Sequence, residues 1–219
     1  MKINPIIFGA TGMVGEGVLH VTLNHPETES VLVIGRRTCG VRNPRLRELV
    51  TSDFTDFSPV MNQLREYNAC FFCAGTTSVG KSEEEYRRTT YDLTMGAADA
   101  LVKANSGITF CYVSGAGTDS TERGRLMWAR VKGKTENDLA KLPFKAVYNF
   151  RPGFIRPIDG LKNSFAIARV LGKAYPLLKT ILPNHVCTLE DLARAMLHAV
   201  ERGYSHTVLE NRDIALLAR

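Results

Sequence analysis

The chain has 219 residues, 44% of them hydrophobic, with 28 Lys and Arg against 22 Asp and Glu, a net charge of +6 and a pI near 9.1. That is enough chain to bury the core of one domain, and the lack of repeats or low-complexity tracts excludes a solenoid or a disordered protein. No apolar run reaches membrane-spanning length, the first strand begins too early to leave room for a secretory signal, and the scattered basic residues match no nucleic-acid module, so nucleic acid is not expected as a partner.

Residues 3–8 predict a short buried strand. Gly9, Gly12 and Gly15 follow as G-x-x-G-x-x-G, and then Val14, Val18, Leu19 and Leu23 line one side of a helix. A strand, a tight glycine turn and a helix opening are what a pyrophosphate site needs: the backbone comes close, and the helix N-terminus offers N–H groups and a positive dipole end. A second buried strand over 30–35 ends at Arg36-Arg37. In a dinucleotide fold that position reads the adenosine ribose, where an Asp or Glu would accept from both hydroxyls. Guanidinium groups there pair with a 2′-phosphate instead, so the cofactor expected is NADP and not NAD.

A third strand is predicted over 49–52, ending at Asp53-Phe54, with a short helix over 58–67. A fourth strand over 69–74 runs into Gly75-Thr76-Thr77. Ser82 opens a long helix with Glu85 completing a capping box, and Tyr86, Leu93, Met95, Ala97 and Leu101 supply its apolar positions. A fifth strand over 108–113 ends at Ser114-Gly115, a helix spans 125–142, and a sixth strand over 144–150 is closed by Arg151-Pro152-Gly153. Residues 165–182 read as an amphipathic helix or lid interrupted by Arg169, Lys173 and Pro176. A helix over 188–202, with Thr188 as N-cap and Asp191 at its third position, precedes a short strand over 207–209. This alternation predicts an α/β protein: one Rossmann-type doubly wound parallel sheet over 1–219, in which residues after about 154 form a small C-terminal cap on the substrate side. The strand ends carrying the glycine turn, Arg36, Asp53, Gly75, Ser114 and Pro152 gather on one edge, where such sheets bind ligands.

The five cysteines, odd in number and mostly inside strands, point to a reducing compartment. Cys70 and Cys73 form a C-x-x-C, but three positions apart on a strand they face opposite sides and are read as core residues. The five histidines are dispersed and show no metal-ligand spacing, so no metal site is expected.

Taken together, Gly9-Ala-Thr-Gly12-Met-Val-Gly15, Gly35-Arg36-Arg37, Asp53-Phe54, Cys73-Ala-Gly-Thr-Thr77 with Gly80-Lys81, Val113-Ser114, Val131-Lys132-Gly133 and Arg151-Pro-Gly153 resemble the short-chain dehydrogenase/reductase superfamily, extended or atypical type. More narrowly, the chain is similar to the small Tat-interacting-protein-like oxidoreductases. The resemblance implies an NADP site made by Gly9, Thr11, Gly12, Met13, Val14, Gly15, Arg36 and Arg37. Asp53 and Phe54 would flank the adenine, Cys73, Ala74, Gly75 and Thr76 the middle of the cofactor, and Pro152, Gly153 and Ile155 the nicotinamide, with Lys132 on its ribose. It also implies a catalytic Ser at Ser114 and the partner Lys at Lys132. The position four before Lys132, where the superfamily has its acid/base Tyr, holds Trp128, whose indole has no ionisable hydroxyl. Two functions follow: an NADP-dependent oxidoreductase, or related lyase or epimerase, on a small carbonyl or hydroxyl substrate, or an NADPH-binding sensor without turnover. The expected setting is cytoplasmic, as a monomer or homodimer.

Overall fold

The central strand β1 (Pro5–Phe8) is four apolar residues, all buried. Ile6 belongs to one hydrophobic cluster and Ile7 to the other, because neighbouring side chains on a strand point to opposite faces. Both faces of the sheet are therefore covered, as parallel sheets require. The computed structural model describes residues 2–54, 56–163 and 175–219 of the chain, and within these the order continues as α1 (Met13–Asn24), β2 (Val31–Gly35) and β3 (Leu46–Val50). A 3-10 turn (Ser58–Val60), α2 (Met61–Leu64), β4 (Ala69–Phe72), α3 (Glu83–Arg87), a π turn (Arg88–Asp92) and α4 (Leu93–Ala104) follow. β5 (Thr109–Val113), α5 (Met127–Leu139), β6 (Ala146–Arg151), β7 (Phe154–Arg156), α6 (Tyr175–Ile181), β8 (Val186–Thr188), α7 (Leu189–Arg202), β9 (Val208–Glu210) and α8 (Asn211–Leu217) complete it.

The main sheet has seven strands in the order β3-β2-β1-β4-β5-β6-β9, with every pairing parallel. This is the α/β Rossmann-type architecture expected from the sequence. Strand order runs outward in both directions from the β1–β4 pair, so the loops after these two strands part and leave a crevice at their carboxyl ends. One hydrophobic cluster, with Val18, Leu19, Leu192 and Met196, covers one face, and the other, with Leu64, Leu101 and Leu139, covers the opposite face. Cys70 lies in the second cluster while Cys73 packs against the first, as the strand period requires, and all five cysteines are free thiols.

Several elements differ from the sequence reading. β3 begins three residues earlier than predicted, because it is an edge strand: Leu46 and Leu49 are half-buried while Arg47 and Glu48 are exposed, so it carries no continuous apolar run. The helix expected over 58–67 shrinks to one 3-10 turn and one α turn, with a proline at the first turn. The long helix opened by the Ser82–Glu85 capping box is interrupted by the π turn at Arg88–Asp92. β7 pairs in parallel with β8 in a separate two-stranded sheet that the sequence reading missed, as it missed α8. Of the segment read as an amphipathic helix or lid, residues 165–174 lie outside the described residues, and Tyr175–Ile181 is helical. The predicted Thr188–Asp191 capping box is present, β9 hydrogen-bonds to β6, and α7 packs on α1 against the first cluster, so much of the C-terminal third completes the main sandwich.

Candidate cofactor site and active site

The chain leaves β1 through Gly9 at φ +83°, a conformation that favours glycine. A Cβ there would lie 2.6 Å from the Ala74 backbone nitrogen, so Gly9 lets the loops after β1 and β4 touch. At Gly15 a Cβ would lie 2.1 Å from the Gly9 carbonyl oxygen, which seats the first turn of α1 on the glycine turn. Gly12 is different: its Cβ would meet only the Gly9 oxygen, at an ordinary 3.5 Å, and otherwise open space. Gly12 is also the N-cap of α1, carries no side-chain cap bond, and lines both cavities described next. The result is a cradle at a helix N-terminus that a side chain would fill, which fits a phosphate.

Two adjoining cavities, of about 420 and 620 Å³, run along the carboxyl edge of the sheet and share Gly12, Cys73, Ala74, Gly75 and Thr76 as walls. Gly9, Thr11, Arg36, Arg37 and Phe54 line the first. Both arginines are exposed, and among the described residues no carboxylate pairs with either. Asp53 lies next to Phe54 outside both linings, and Gly15 lies beneath the turn, so neither is brought to the cavity surface. Met13, Val14, Ser114, Trp128, Lys132, Pro152, Gly153 and Ile155 line the second cavity.

The sequence reading gave no site role to Ile34, Gly35, Lys81, Thr89 and Leu93 in the first cavity, although Gly35 and Lys81 stand in its motifs. It likewise gave none to Thr77, Val113, Gly115 and Ala116 in the second. Lys81 donates to the Thr76 hydroxyl at 2.7 Å and adds a third cation to the first cavity. Its place after Gly80 in a polar loop was the available signal. Asn211, buried at the start of α8, was also missed: its side chain accepts from Gly153 N at 3.2 Å and donates to the Val186 carbonyl at 2.8 Å, tying the loop after β6 to β8.

The wall of the second cavity rests on a buried polar network. Glu136 on α5 is 2% exposed, and Arg151 at the end of β6 grips its carboxylate through Nε at 3.0 Å and through Nη2. Arg151 also donates to Glu210 at 3.2 Å and to the Ser120 hydroxyl. Ser114 sits at the cavity wall, but its hydroxyl turns inward, donating to Glu136 Oε1 with the Phe150 carbonyl at 3.1 Å. A hydroxyl has one proton, so the catalytic Ser that the resemblance implies at Ser114 has a hydroxyl already engaged by a buried carboxylate.

Lys132 Nζ donates to the Ser114 backbone carbonyl. Burial disfavours its ammonium and pulls its pKa down to about 8, with Glu136 acting in the opposite direction. Cys73 is pushed up to about 12 by burial, so it is a neutral wall and not a nucleophile. Trp128 takes the position expected, four before Lys132, and its ring lies over Gly117, where a Cβ would be 3.4 Å from Cη2. No tyrosine lines the second cavity among the described residues. Tyr112 is buried in the second cluster, on the face of the sheet that α5 covers and outside the lining of the cavity, with its phenol pushed well above its ordinary range by burial, and the Tyr148 hydroxyl accepts from Tyr204 N at 3.0 Å.

A parallel sheet with a glycine cradle at its switch point is the architecture of the dinucleotide-binding α/β class. Within that class the chain belongs to the NAD dependent epimerase/dehydratase family, whose model matches residues 6–121. It is similar to the protein FMP52, mitochondrial, of Debaryomyces hansenii, at 30% identity over 200 residues, covering 88% of this chain and 85% of that one. The fmp52 protein of Emericella nidulans, also mitochondrial by name, is 28% identical over 190 residues, covering 80% of this chain and 79% of its own. Among solved structures, UDP-N-acetylglucosamine 4-epimerase from Bacillus cereus matches with a TM-score of 0.67 at 19% identity, covering 98% of this chain and 84% of that one. WbmF of Bordetella bronchiseptica, solved with NAD+, matches with a TM-score of 0.68 at 14% identity, covering 99% and 76%. At such identities these two structures show the shared fold. The mitochondrial names of the curated relatives correct the expectation of a cytoplasmic protein. No helix among the described residues is long and apolar enough to cross a membrane.

Proposed function

We propose that the two cavities form one trough for NADP(H) and that the protein is an oxidoreductase-type member of its family acting on a small carbonyl or hydroxyl compound. The observation that carries this reading is the continuity of the trough: the exposed Arg36 and Arg37 line one cavity, Lys132 and Trp128 line the other, and the open Gly12 cradle lies on the wall they share. The arginines would take the 2′-phosphate, Gly12 and the first turn of α1 the pyrophosphate, and Lys132 the nicotinamide ribose. Bound there, the cofactor would supply hydride transfer. The motif set supports a likeness to the small Tat-interacting-protein-like oxidoreductases, and the relatives' names favour a mitochondrial setting.

The chain's own residues must then move a proton. Trp128 has no ionisable hydroxyl and the Ser114 proton is held by Glu136, which leaves the Lys132 ammonium as the most acidic proton donor lining the second cavity among the described residues. A lysine already engaged with a carbonyl and a ribose is a poor substitute for a positioned phenol, and a positioned general acid contributes roughly 10²–10⁴-fold. Turnover is therefore expected to be slow. The second reading, an NADPH-binding sensor without turnover, is favoured by the same Trp128. NADPH oxidation over a panel of small carbonyl compounds, parent against Trp128→Tyr, tests both. Slow parent turnover, accelerated by the tyrosine, supports the enzyme. NADPH binding without turnover in either protein supports the sensor, and a fast parent slowed by the tyrosine refutes the proton assignment.

A further inference from the structure

We propose that His25, His198 and Glu201 form a binding site for a zinc-class divalent metal ion. The sequence disperses its histidines, but the fold brings two of them together. His25 caps the C-terminal end of α1, and His198 and Glu201 stand three apart on one side of α7. One ring nitrogen from each histidine and one Glu201 oxygen lie within 4.8 Å of one another. His25 Nε2 is 3.7 Å from Glu201 Oε1. Zinc takes nitrogen and oxygen ligands at about 2.0–2.2 Å, so two tetrahedral ligand atoms sit about 3.4 Å apart. The observed pair needs to close by only a few tenths of an ångström.

The surroundings favour an ion. The Leu217 carbonyl lies 2.7 Å from His198 Nδ1 and can only accept, so a His198 ring with its proton on Nδ1 would satisfy that carbonyl and offer the Nε2 lone pair to an ion. An imidazole held by its other N–H on a backbone carbonyl is the usual outer support of a metal-bound histidine. Arg202 Nη2 donates to the same carbonyl at 3.0 Å and sits 3.1 Å from Nδ1. His25 Nδ1 is buried with no hydrogen-bond partner among the described residues, so no competing bond locks that ring. The His25 and Glu201 side chains remain 16% and 23% exposed, enough to admit an ion and leave a coordination position for water. Two imidazoles and one carboxylate suit zinc, cobalt or nickel better than magnesium or calcium. The ion would staple the end of α1 to α7, away from the trough.

The test uses the full chain freed of metal, titrated with Zn2+ by calorimetry and with Co2+ by absorption, and unfolded thermally with and without Zn2+. One equivalent of Zn2+ should bind and raise Tm, since an ion bound only by the folded state stabilises it. The Co2+ spectrum should show ligand-field bands without thiolate charge transfer, because no cysteine belongs to the cluster. Glu201→Gln and His25→Gln should each weaken binding at least tenfold and remove the Zn2+-dependent rise in Tm. His198→Ala, which also loses the Leu217 bond, is judged by the difference in its own Tm with and without Zn2+. Absence of one-equivalent binding, a thiolate band, or undiminished affinity in Glu201→Gln and His25→Gln overturns the proposal.

Discussion

Replacing Arg151 by Met would leave the Glu136 carboxylate buried at 2% exposure with only the Ser114 hydroxyl among its present donors. Breaking a buried pair from one side costs about 3–5 kcal/mol, because the remaining charge has lost its compensation. For a chain of this length 1 kcal/mol moves Tm by roughly 2–4 °C, so Arg151→Met should lower Tm by about 6–20 °C. Glu136→Gln should cost less, about 1–3 kcal/mol, since Arg151 keeps Glu210 at 3.2 Å and the Ser120 hydroxyl. The double variant Glu136→Gln/Arg151→Met removes the stranded charge and should be more stable than the sum of the single effects by at least about 1 kcal/mol. Urea unfolding of the four proteins gives the cycle. If Arg151→Met costs under about 1 kcal/mol, or the single effects simply add, the network does not hold the wall of the second cavity in the way described.

The two glycines of the turn separate binding from folding. Gly12→Val should keep its far-ultraviolet dichroism and lose nucleotide binding, because its side chain would occupy the open cradle, whereas Gly15→Ala should fold poorly, its Cβ falling 2.1 Å from the Gly9 oxygen. Lys132 has a folded pKa near 8 against an ordinary 10.5, so between these values the unfolded chain holds a proton that the folded chain has released. Relative to Lys132→Met, the parent should gain stability as pH rises across that window and show a constant difference below it, and a flat difference in urea unfolding from pH 7 to 10 would reject the assignment.

Much of this fold was legible because β1, β2, β4, β5 and β6 are buried on both faces and therefore read as apolar runs, unbroken in β1, β2 and β4 and interrupted only by Thr109, Asn149 and Arg151 in β5 and β6. The capping boxes at Ser82 and Thr188 were local signals and are present as read. β3, β7 and β8 were obscure for the opposite reason: one is a half-exposed edge, and the others are three residues each and depend on a long-range pairing. The positions of Gly12 and Arg36 along the trough follow from strand ends that the sequence marks, and that of Trp128 from its place four before Lys132 on α5. The inward turn of the Ser114 hydroxyl does not, because it is set by Glu136 and Arg151, which come from different elements and meet only in the folded core. His25 and His198 meet across α1 and α7 in the same way.

Trp128 is the single tryptophan of the chain and lines the second cavity, so its fluorescence reports directly on whether the trough holds a reduced nicotinamide nucleotide. Titration with NADPH and NADH should quench it saturably. Affinity for NADPH should be about ten- to a hundredfold higher, the worth of one charge-assisted bond of roughly 1.5–3 kcal/mol. Arg36→Ala/Arg37→Ala should erase the difference. Equal affinities in the parent would contradict the role given to the arginines, and a flat response to both nucleotides would contradict the trough itself.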